Sequence, residues 1–266
     1  MNICDAHKAL GIEVKDFLRH VPNANEESIT DYLVWKWREL DKRFNCIRVT
    51  THSHHKESTT SGADFEMELW LVGKRSSFPL LLQAKKLVKP YDGYMRRLRY
   101  PNSSNAQLAR LLKYAKQTGR HPFYALYAIP DRTGGPSCFC TGAADGGVYV
   151  VHANDVLGFA MGKHGRKVSK GALLGVGQPF HCWFCCHSLS GILVGYLNGT
   201  VSFFEPQIRG ALPTSDLPEY ARVLLVDAQG AERAAPSATR RLERFPARRI
   251  GVYDVRGVEE GFPDLE

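Results

Sequence analysis

Three polar residues near the middle of the chain could carry out one piece of chemistry together. Asp64 precedes a Gln-x-Lys pattern formed by Gln83 and Lys85. A carboxylate and a side-chain amide oxygen are hard oxygen ligands of the kind that Mg²⁺ or Mn²⁺ prefers. A lysine beside them can orient or deprotonate a water molecule, or neutralise the charge that develops on a phosphate. The combination therefore favours metal-assisted chemistry on a phosphate group.

A β-hairpin is the element that must bring these residues together. We predict strands at residues 63–72 and 78–87, joined by a turn of sequence GKRS. Side chains alternate along a strand, and directly paired residues point to the same side of the sheet. If the turn is centred between its Lys and its Arg, Asp64 falls opposite Lys85 and diagonal to Gln83. We therefore expect the carboxylate, the amide and the ammonium to converge in one patch. The alternative is a two-stranded edge with solvated polar faces.

The order Asp, then Gln-x-Lys, on a hairpin resembles the PD-(D/E)xK nuclease superfamily, and the Gln is similar to the variant seen in Mrr-like restriction endonucleases. The segments GADFE, QAKKL, QLARLLKYA and PFYALY are similar to an uncharacterised bacterial family of restriction-endonuclease-like proteins. Members of that family tend to be associated with phage defence. The resemblance covers residues 24–130 and implies an α/β fold, with a restriction-endonuclease-like α/β/α core around a mixed central sheet.

A helix over residues 26–42, capped by Asn23 or Asn25, supplies a further acid. Its apolar positions share one face and are Ile29, Leu33, Trp37 and Leu40. Glu26 continues that face and looks towards the sheet, whereas Glu27 is rotated by roughly 100° towards solvent. The resemblance implies a glutamate from this helix at the metal site; geometry assigns the role to Glu26, with Glu27 as the fallback. Alternatively, both acids simply stabilise the helix dipole.

The resemblance also implies a role for each residue of the site. Asp64 and the side-chain oxygen of Gln83 would bind Mg²⁺ or Mn²⁺, with the backbone carbonyl of Ala84 as a third ligand. Glu26 would hold the ion directly or through water. Lys85 would orient the attacking hydroxide and stabilise the charge on the phosphorane-like transition state. The predicted activity is hydrolysis of phosphodiester bonds in DNA, with RNA as an alternative substrate.

A basic segment follows the hairpin and predicts contact with nucleic acid. Cations neutralise phosphates, and interleaved tyrosines can stack on bases. The cations are Lys86, Lys89, Arg96, Arg97 and Arg99; the alternative is a solvated connection. In the next predicted helix, at 105–117, Gln107 matches a Gln that RecB-like nucleases carry beside the site. However, Leu111 stands where those enzymes have a Tyr. A buried strand at 123–129, parallel to a neighbour, is expected next.

We divide the chain into an N-terminal helix (1–22), a nuclease core (23–135) and an α+β C-terminal extension (136–266) packed on the core, in the same domain. The elements predicted in the extension are strands at 148–153, 222–227 and 250–254, and a helix at 154–162 with an Asn cap.

Cysteines suggest a second metal. Cys182 and Cys185 have the Cys-x-x-Cys spacing of zinc ligands, and Cys138 and Cys140 could complete a set of four. Free cysteines are also common as small core residues. An odd count of seven cysteines fits a reducing cytoplasm better than a disulfide framework. We therefore expect a cytoplasmic protein in which zinc at Cys182 and Cys185 is an alternative cofactor.

Bulk properties limit the partners. The 266-residue chain carries a net charge of +8, which favours a polyanion. Its longest apolar runs fall short of the roughly 20 residues of a membrane span, so we expect no membrane partner. DNA, a second copy of the chain and a protein of a defence system are the partners that we consider. Two alternative functions remain: a catalytically inactive nucleic-acid-binding module, motivated by Gln83, and a zinc-stabilised interaction protein.

Overall fold

The computed structural model describes residues 3–51, 65–87, 106–130, 146–161, 168–182, 211–226 and 247–256. Several predicted site residues lie outside these ranges and are Asp64, Lys89, Arg96, Arg97, Arg99 and Cys185. The helices within the described ranges are α1 (Ile3–His20), α2 (Glu26–Phe44), α3 (Ala106–Thr118), α4 (Ala153–Ala160), α5 (Lys170–Gly175) and α6 (Glu219–Val226). The strands are β1 (Ile47–Thr51), β2 (Phe65–Val72), β3 (Ser76–Leu87), β4 (His121–Ala128), β5 (Val148–His152), β6 (Gln178–Pro179), β7 (Leu212–Pro213) and β8 (Ala247–Asp254).

All of these strands belong to one mixed sheet of eight strands. Their order is β1-β8-β2-β3-β4-β5-β6, and the short β7 pairs with β3. The pairs β2–β8 and β3–β4 are parallel, and the other neighbours are antiparallel. The predicted α/β class with a mixed central sheet is therefore confirmed, as is the parallel placement of β4.

Helices cover both faces of the sheet. On one face, apolar residues of α1 and α2, among them Val14, Ile29 and Trp37, pack with alternate residues of β2 and β3 such as Leu69 and Leu82. The opposite face packs against α3, α4 and α5 around Leu81 of β3, and against α6 around Trp70 of β2. Each strand thus divides its side chains between two apolar layers, which is why these strands are apolar on both faces.

The β2–β3 hairpin has the predicted register. Its pairs extend from Met67–Leu82 to Val72–Ser77, and the Gly73 N–H closes the turn on the Ser76 carbonyl at 2.9 Å. A slip of one residue would move every side chain to the wrong face. The alternation in β3 predicted from the sequence, with Gln83 and Lys85 on the face of Leu81, therefore holds in the structure.

Two boundaries near α2 and β5 differ from the prediction. The segment FNCIRVTT predicts a strand over Phe44–Thr51. The strand instead begins at Ile47, because α2 continues to Phe44 and is capped by Asn45, which has a left-handed φ of 50°. An asparagine tolerates this conformation and can terminate a helix. Further on, α4 is capped by His152 rather than by Asn154, since the His152 ring accepts a hydrogen bond from the Asn154 backbone N–H at 3.2 Å.

The strand predicted at 222–227 is wrong, because this segment is the helix α6. Its run of valines and leucines is typical of a strand by composition. However, the buried residues Ala221, Leu224 and Leu225 have helical spacing, and they pack on Trp70 and Val72 of β2. Burial on a single helical face thus outweighed the β-branched composition.

The predicted C-terminal extension contributes central strands to the sheet. β8 lies between β1 and β2, and β5 continues the sheet beyond β4. β8 pairs in parallel with β2 from Phe65–Ala247 to Val72–Asp254. The hairpin that carries the Gln-x-Lys pattern is therefore held by the last described strand of the chain. Among the helices that the structure describes, none is both long enough and apolar enough to span a bilayer.

Candidate functional site

The candidate site lies at one end of the central strands, which we call the QxK end: the segment Gln83–Leu87 of β3 with the neighbouring end of β4 and the start of β2. β2 begins here at Phe65 because it is antiparallel to β3. β4 ends here because it is parallel to β3, with Leu87 paired to Ala128. Chain segments from three strands therefore meet where α2 begins.

The start of α2 is set by a local hydrogen bond. Asn25 is the N-cap, and its side-chain oxygen accepts the Ser28 N–H at 2.8 Å. This cap decides between the two candidates, Asn23 and Asn25, that the sequence left open. Glu26 is then the first helical residue and is half-buried, whereas Glu27 is exposed. Glu26 is therefore the more buried of the two acids, as the helical spacing predicted.

The Glu26 carboxylate contacts the Gln-x-Lys pattern directly. Its Oε2 lies 3.8 Å from Nζ of Lys85, and its Oε1 accepts the backbone N–H of Lys86 at 3.0 Å. The Lys85 side chain is 12% exposed and that of Glu26 is 35% exposed. Such a partly screened pair binds more strongly than an ion pair in open solvent. The acid of the helix and the lysine of the strand are therefore brought together.

Gln83 presents a buried oxygen that has no hydrogen-bond partner in the described part of the chain. The residue is 5% exposed, its Nε2 donates to the Ala84 carbonyl at 3.5 Å, and its Oε1 accepts no hydrogen bond within the described ranges. Leaving a buried acceptor unsatisfied costs about 1–3 kcal/mol, so such an atom indicates a ligand, an ion or a water. An amide oxygen suits a hard divalent cation. Gln83 thus fits the ion predicted for this site.

Gln107, in the first turn of α3, has a similar feature. Its Oε1 is also buried with no hydrogen-bond partner in the part of the chain that the structure describes. Leu108 and Leu111 of the same helix pack in the apolar cluster that contains Leu81. Gln107 therefore begins the helix that covers the Gln83 face of β3. Whether it contacts nucleic acid stays a prediction.

The structure gives Lys86 a contact that the sequence did not suggest. Its Nζ donates to the carbonyls of Pro22 and Ala24, the latter at 2.7 Å, in the connection between α1 and α2. The ammonium is thus bound to the protein's own backbone. The predicted contact of Lys86 with nucleic acid is not tested by this geometry, but the residue has a clear structural role. No sequence pattern predicted this contact, because Pro22 and Lys86 are far apart along the chain.

Metal ligands of the cysteine and histidine type do not converge in the described ranges, where no cluster of three or more His, Cys, Asp or Glu side chains could hold a metal ion. Cys182 is buried, while Cys138, Cys140 and Cys185 lie outside those ranges. Zinc at Cys182 and Cys185 stays a prediction. At the QxK end the donors described are the Glu26 carboxylate, the Gln83 amide and the Ala84 carbonyl.

Glu68 of β2 is buried, whereas the alternative of a two-stranded edge with solvated polar faces would expose it. Glu68 is 0% exposed and receives hydrogen bonds from Arg120, from Trp70 Nε1 at 2.7 Å and from the Tyr220 hydroxyl at 2.5 Å. Burial and then the Glu68 carboxylate raise the pKa of Tyr220, so its hydroxyl remains a donor. This network joins β2, the α3–β4 turn and α6, and every named group in it has a partner.

Comparisons with known proteins bear on the whole chain. No curated protein matches the sequence, and no solved structure matches it. One family model matches residues 3–255, a range that begins with α1 and includes β8. The match therefore covers both helical layers, the mixed sheet and the QxK end. The chain belongs to the family of unknown function DUF6615.

Proposed function

We propose that this protein is a metal-dependent nuclease that hydrolyses phosphodiester bonds of DNA, with a restriction-endonuclease-like core. One observation carries the proposal: the Glu26 carboxylate meets Lys85 of the Gln-x-Lys pattern at 3.8 Å, and the neighbouring Gln83 has a buried side-chain oxygen with no hydrogen-bond partner among the described residues. Asp64 immediately precedes β2 in the sequence and lies outside the described residues; the register of β2 with β3, described from Met67–Leu82 to Val72–Ser77, is the one predicted from the sequence. A role in anti-phage defence is part of the proposal by resemblance.

The order of the elements supports this function. The resemblance implies helix, strand, hairpin, helix and strand, and the described order is α2, β1, β2–β3, α3 and β4. Helices lie on both faces of the sheet, as an α/β/α core requires. The insertion of β8 between β1 and β2 leaves the β2–β3–β4 unit intact. The order of the described elements therefore supports a restriction-endonuclease-like core.

Each residue at the QxK end has chemistry that suits phosphodiester hydrolysis. Gln83, the Ala84 carbonyl, Asp64 and Glu26 would hold Mg²⁺ or Mn²⁺, which supplies Lewis-acid activation of the phosphate and of a water. Lys85 carries a positive charge into a partly buried site, where it stabilises negative charge on the phosphate more strongly than in water. Glu26 holds that ammonium in place and retains further lone pairs for a ligand.

Charge at the site sets an expectation about its metal affinity. Gln83 is neutral where an acidic residue would add a negative charge, so the site attracts a divalent cation less strongly. We therefore expect activity to require millimolar rather than micromolar metal, or assembly with a partner. The net charge of +8 favours DNA as the polyanion bound.

A cleavage assay tests the proposal. Plasmid, linear duplex and single-stranded DNA, and a single-stranded RNA, are incubated with the protein and Mg²⁺ or Mn²⁺, with a chelator as the blank. We expect cutting by the wild type, and loss of at least about 100-fold in rate for Glu26→Gln, Asp64→Ala and Lys85→Ala. Glu27→Gln is the matched control for Glu26→Gln and should cut normally. If Lys85→Ala still cuts DNA at the wild-type rate, the proposal that the QxK end is the active site is wrong.

The neutral Gln83 also favours a second candidate, a nucleic-acid-binding module on the same fold without catalysis. A gel-shift measurement with the same DNA distinguishes the two. A nuclease variant such as Lys85→Ala should bind DNA without cutting it, whereas a binding module would bind and show no metal-dependent cutting even as the wild type.

A further inference from the structure

Lys86 and Tyr127 form a cross-strand pair beneath the start of α2. They are paired in the parallel register of β3 and β4. Tyr127 belongs to the apolar cluster under α1 and α2, which also contains Leu82 and Ala84 of β3. Since side chains alternate along a strand, Lys86 shares the face of Leu82 and Ala84. The pair therefore lies on the face of the sheet that α1 and α2 cover, opposite to the face of Lys85.

Both members of the pair hold the first turns of α2. Lys86 donates through Nζ to the carbonyls of Pro22 and Ala24 and through its backbone N–H to Glu26 Oε1. The Tyr127 hydroxyl lies 2.7 Å from Thr30 Oγ1, which also donates to the Glu26 carbonyl at 2.9 Å. One side chain thus fixes the chain before Glu26 and the other fixes the turn after it.

We propose that Lys86 is a positioning residue that, together with Tyr127, holds the Glu26 carboxylate against Lys85; this inference rests on the nuclease function proposed above. The two adjacent lysines have different tasks because a strand directs them to opposite faces. Lys85 faces the reacting phosphate. Lys86 keeps the glutamate at its working distance and has its ammonium committed to two backbone carbonyls, so it does not serve as a phosphate contact.

Kinetics and salt dependence separate positioning from phosphate contact. The variants are Lys86→Met, which removes the donors, and Lys86→Arg, which keeps them, with Lys116→Met on the exposed face of α3 as the control. A misplaced catalytic group can cost about 100-fold in rate, so we expect Lys86→Met to lower kcat by about that factor with KM nearly unchanged. Lys86→Arg should restore most of kcat.

DNA affinity is then measured as a function of salt concentration without metal. We expect the slope of log K against log salt to be the same for Lys86→Met and the wild type. A phosphate-contacting lysine would instead reduce that slope by roughly one and raise KM, and this result would overturn the proposal. Tyr127→Phe, which removes a single hydroxyl, should lower kcat in the same direction and covers the case in which Lys86→Met does not fold.

A second measurement does not depend on cleavage. Urea unfolding is compared for Lys86→Met, Glu26→Gln and the combined variant. If Lys86 positions Glu26, the combined variant loses less than the product of the two single fold-changes in the unfolding equilibrium constant. Without the Lys86 side chain the Glu26 carboxylate is already displaced from Lys85 and from the Lys86 backbone N–H, so Glu26→Gln has less left to remove. Fold-changes that multiply would overturn the positioning role. If the two changes are coupled but the wild type cuts no DNA, the nuclease function is refuted. The role of Lys86 in positioning Glu26 then still stands.

Discussion

The guanidinium of Arg120 binds both carboxylate oxygens of Glu68, with Nε–Oε2 at 2.7 Å and Nη2–Oε1 at 3.1 Å. The Glu68 side chain is 1% exposed and that of Arg120 is 13% exposed. Arg120 also donates to the Thr118 carbonyl and to the Tyr220 hydroxyl, both at 2.9 Å. A buried pair is held without a large penalty only when its remaining donors and acceptors are satisfied, which is the case here.

Removal of Arg120 should therefore be costly. Arg120→Met leaves the Glu68 charge buried with only neutral donors, and breaking one side of a buried pair costs about 3–5 kcal/mol. Urea unfolding followed by circular dichroism measures the loss. Arg222→Met, on the exposed face of α6, is the control and should change the free energy of unfolding by less than about 0.5 kcal/mol. Equal losses in both variants would contradict the role assigned to the pair.

Gln83→Glu should make stability depend on divalent metal. The new carboxylate would occupy a 5%-exposed position and is costly to bury without a cation. We expect a lower melting temperature in chelator and a larger increase on addition of Mg²⁺ than the wild type shows, because a ligand of the folded state stabilises it by mass action. Gln117→Glu, exposed on α3, should show no added response. A Gln83→Glu protein insensitive to Mg²⁺ and Mn²⁺ would argue against a metal there.

Acid should destabilise the protein through His7. Burial and then the nearby His181 lower the pKa of His7 to about 3. The neutral ring is the folded form, so the contribution to stability is complete above the unfolded pKa near 6.5 and is lost as the pH falls towards 3. His7→Phe keeps an aromatic ring beside Tyr253, 5.4 Å away in the wild type.

The measurement is the free energy of unfolding in urea between pH 6 and pH 4. Relative to the wild type, His7→Phe should gain up to about 1.4 kcal/mol for each pH unit of acidification, the value of one proton. His20→Gln, at the exposed end of α1, should follow the wild type. Parallel curves for His7→Phe and the wild type would contradict the assignment.

Gly147 permits close packing of α1 on the start of β5. A Cβ at this position would lie 2.5 Å from the Lys15 backbone nitrogen and 2.8 Å from the Val14 carbonyl carbon. Gly147→Ala must push the helix away and should lower the free energy of unfolding by about 1–3 kcal/mol. Gly175→Ala is the matched control, since nothing lies within 4 Å of its Cβ, and it should be neutral or slightly stabilising. Similar losses at both glycines would refute this explanation.

The helix cap should matter for both stability and the site. Asn25→Ala removes the acceptor of the Ser28 N–H, and loss of such a cap costs about 1 kcal/mol. Because Glu26 is the next residue, we also expect a lower cleavage rate. Asn23→Ala, two residues earlier and exposed, should affect neither quantity. The comparison of the two asparagines by thermal unfolding and by cleavage rate decides whether the cap acts on the site.

Local patterns accounted for the parts of the fold that depend on neighbouring residues. The GKRS turn and the alternation of apolar residues predicted the register of β2 and β3, because a short turn leaves few alternatives. The helical spacing of the apolar residues from Ile29 to Trp37 predicted α2. The same spacing predicted that Glu26 faces inward. The convergence of Glu26 with Lys85 was expected from the resemblance, and spacing alone would not have paired them.

Contacts between distant segments could not be predicted. Arg120 and Tyr220 meet Glu68 from separate parts of the chain, so the face of β2 that looked solvated in the sequence is buried. The backbone acceptors of Lys86 likewise belong to the α1–α2 connection. α6 was predicted as a strand because its composition is apolar and β-branched. The helix is so short that only a few residues show the helical spacing.

The position of β8 between β1 and β2 has a consequence for synthesis. β1 and β2 leave the ribosome well before the strand that joins them, so the nascent chain holds two open strand edges while residues 73–246 are being made. Unpaired edges invite association with other chains, and pairing over such a long sequence separation is slow. Under the nuclease function proposed above, the enzyme would remain unassembled until β8 has been released, and a message truncated before residue 247 would yield a chain whose central sheet cannot close.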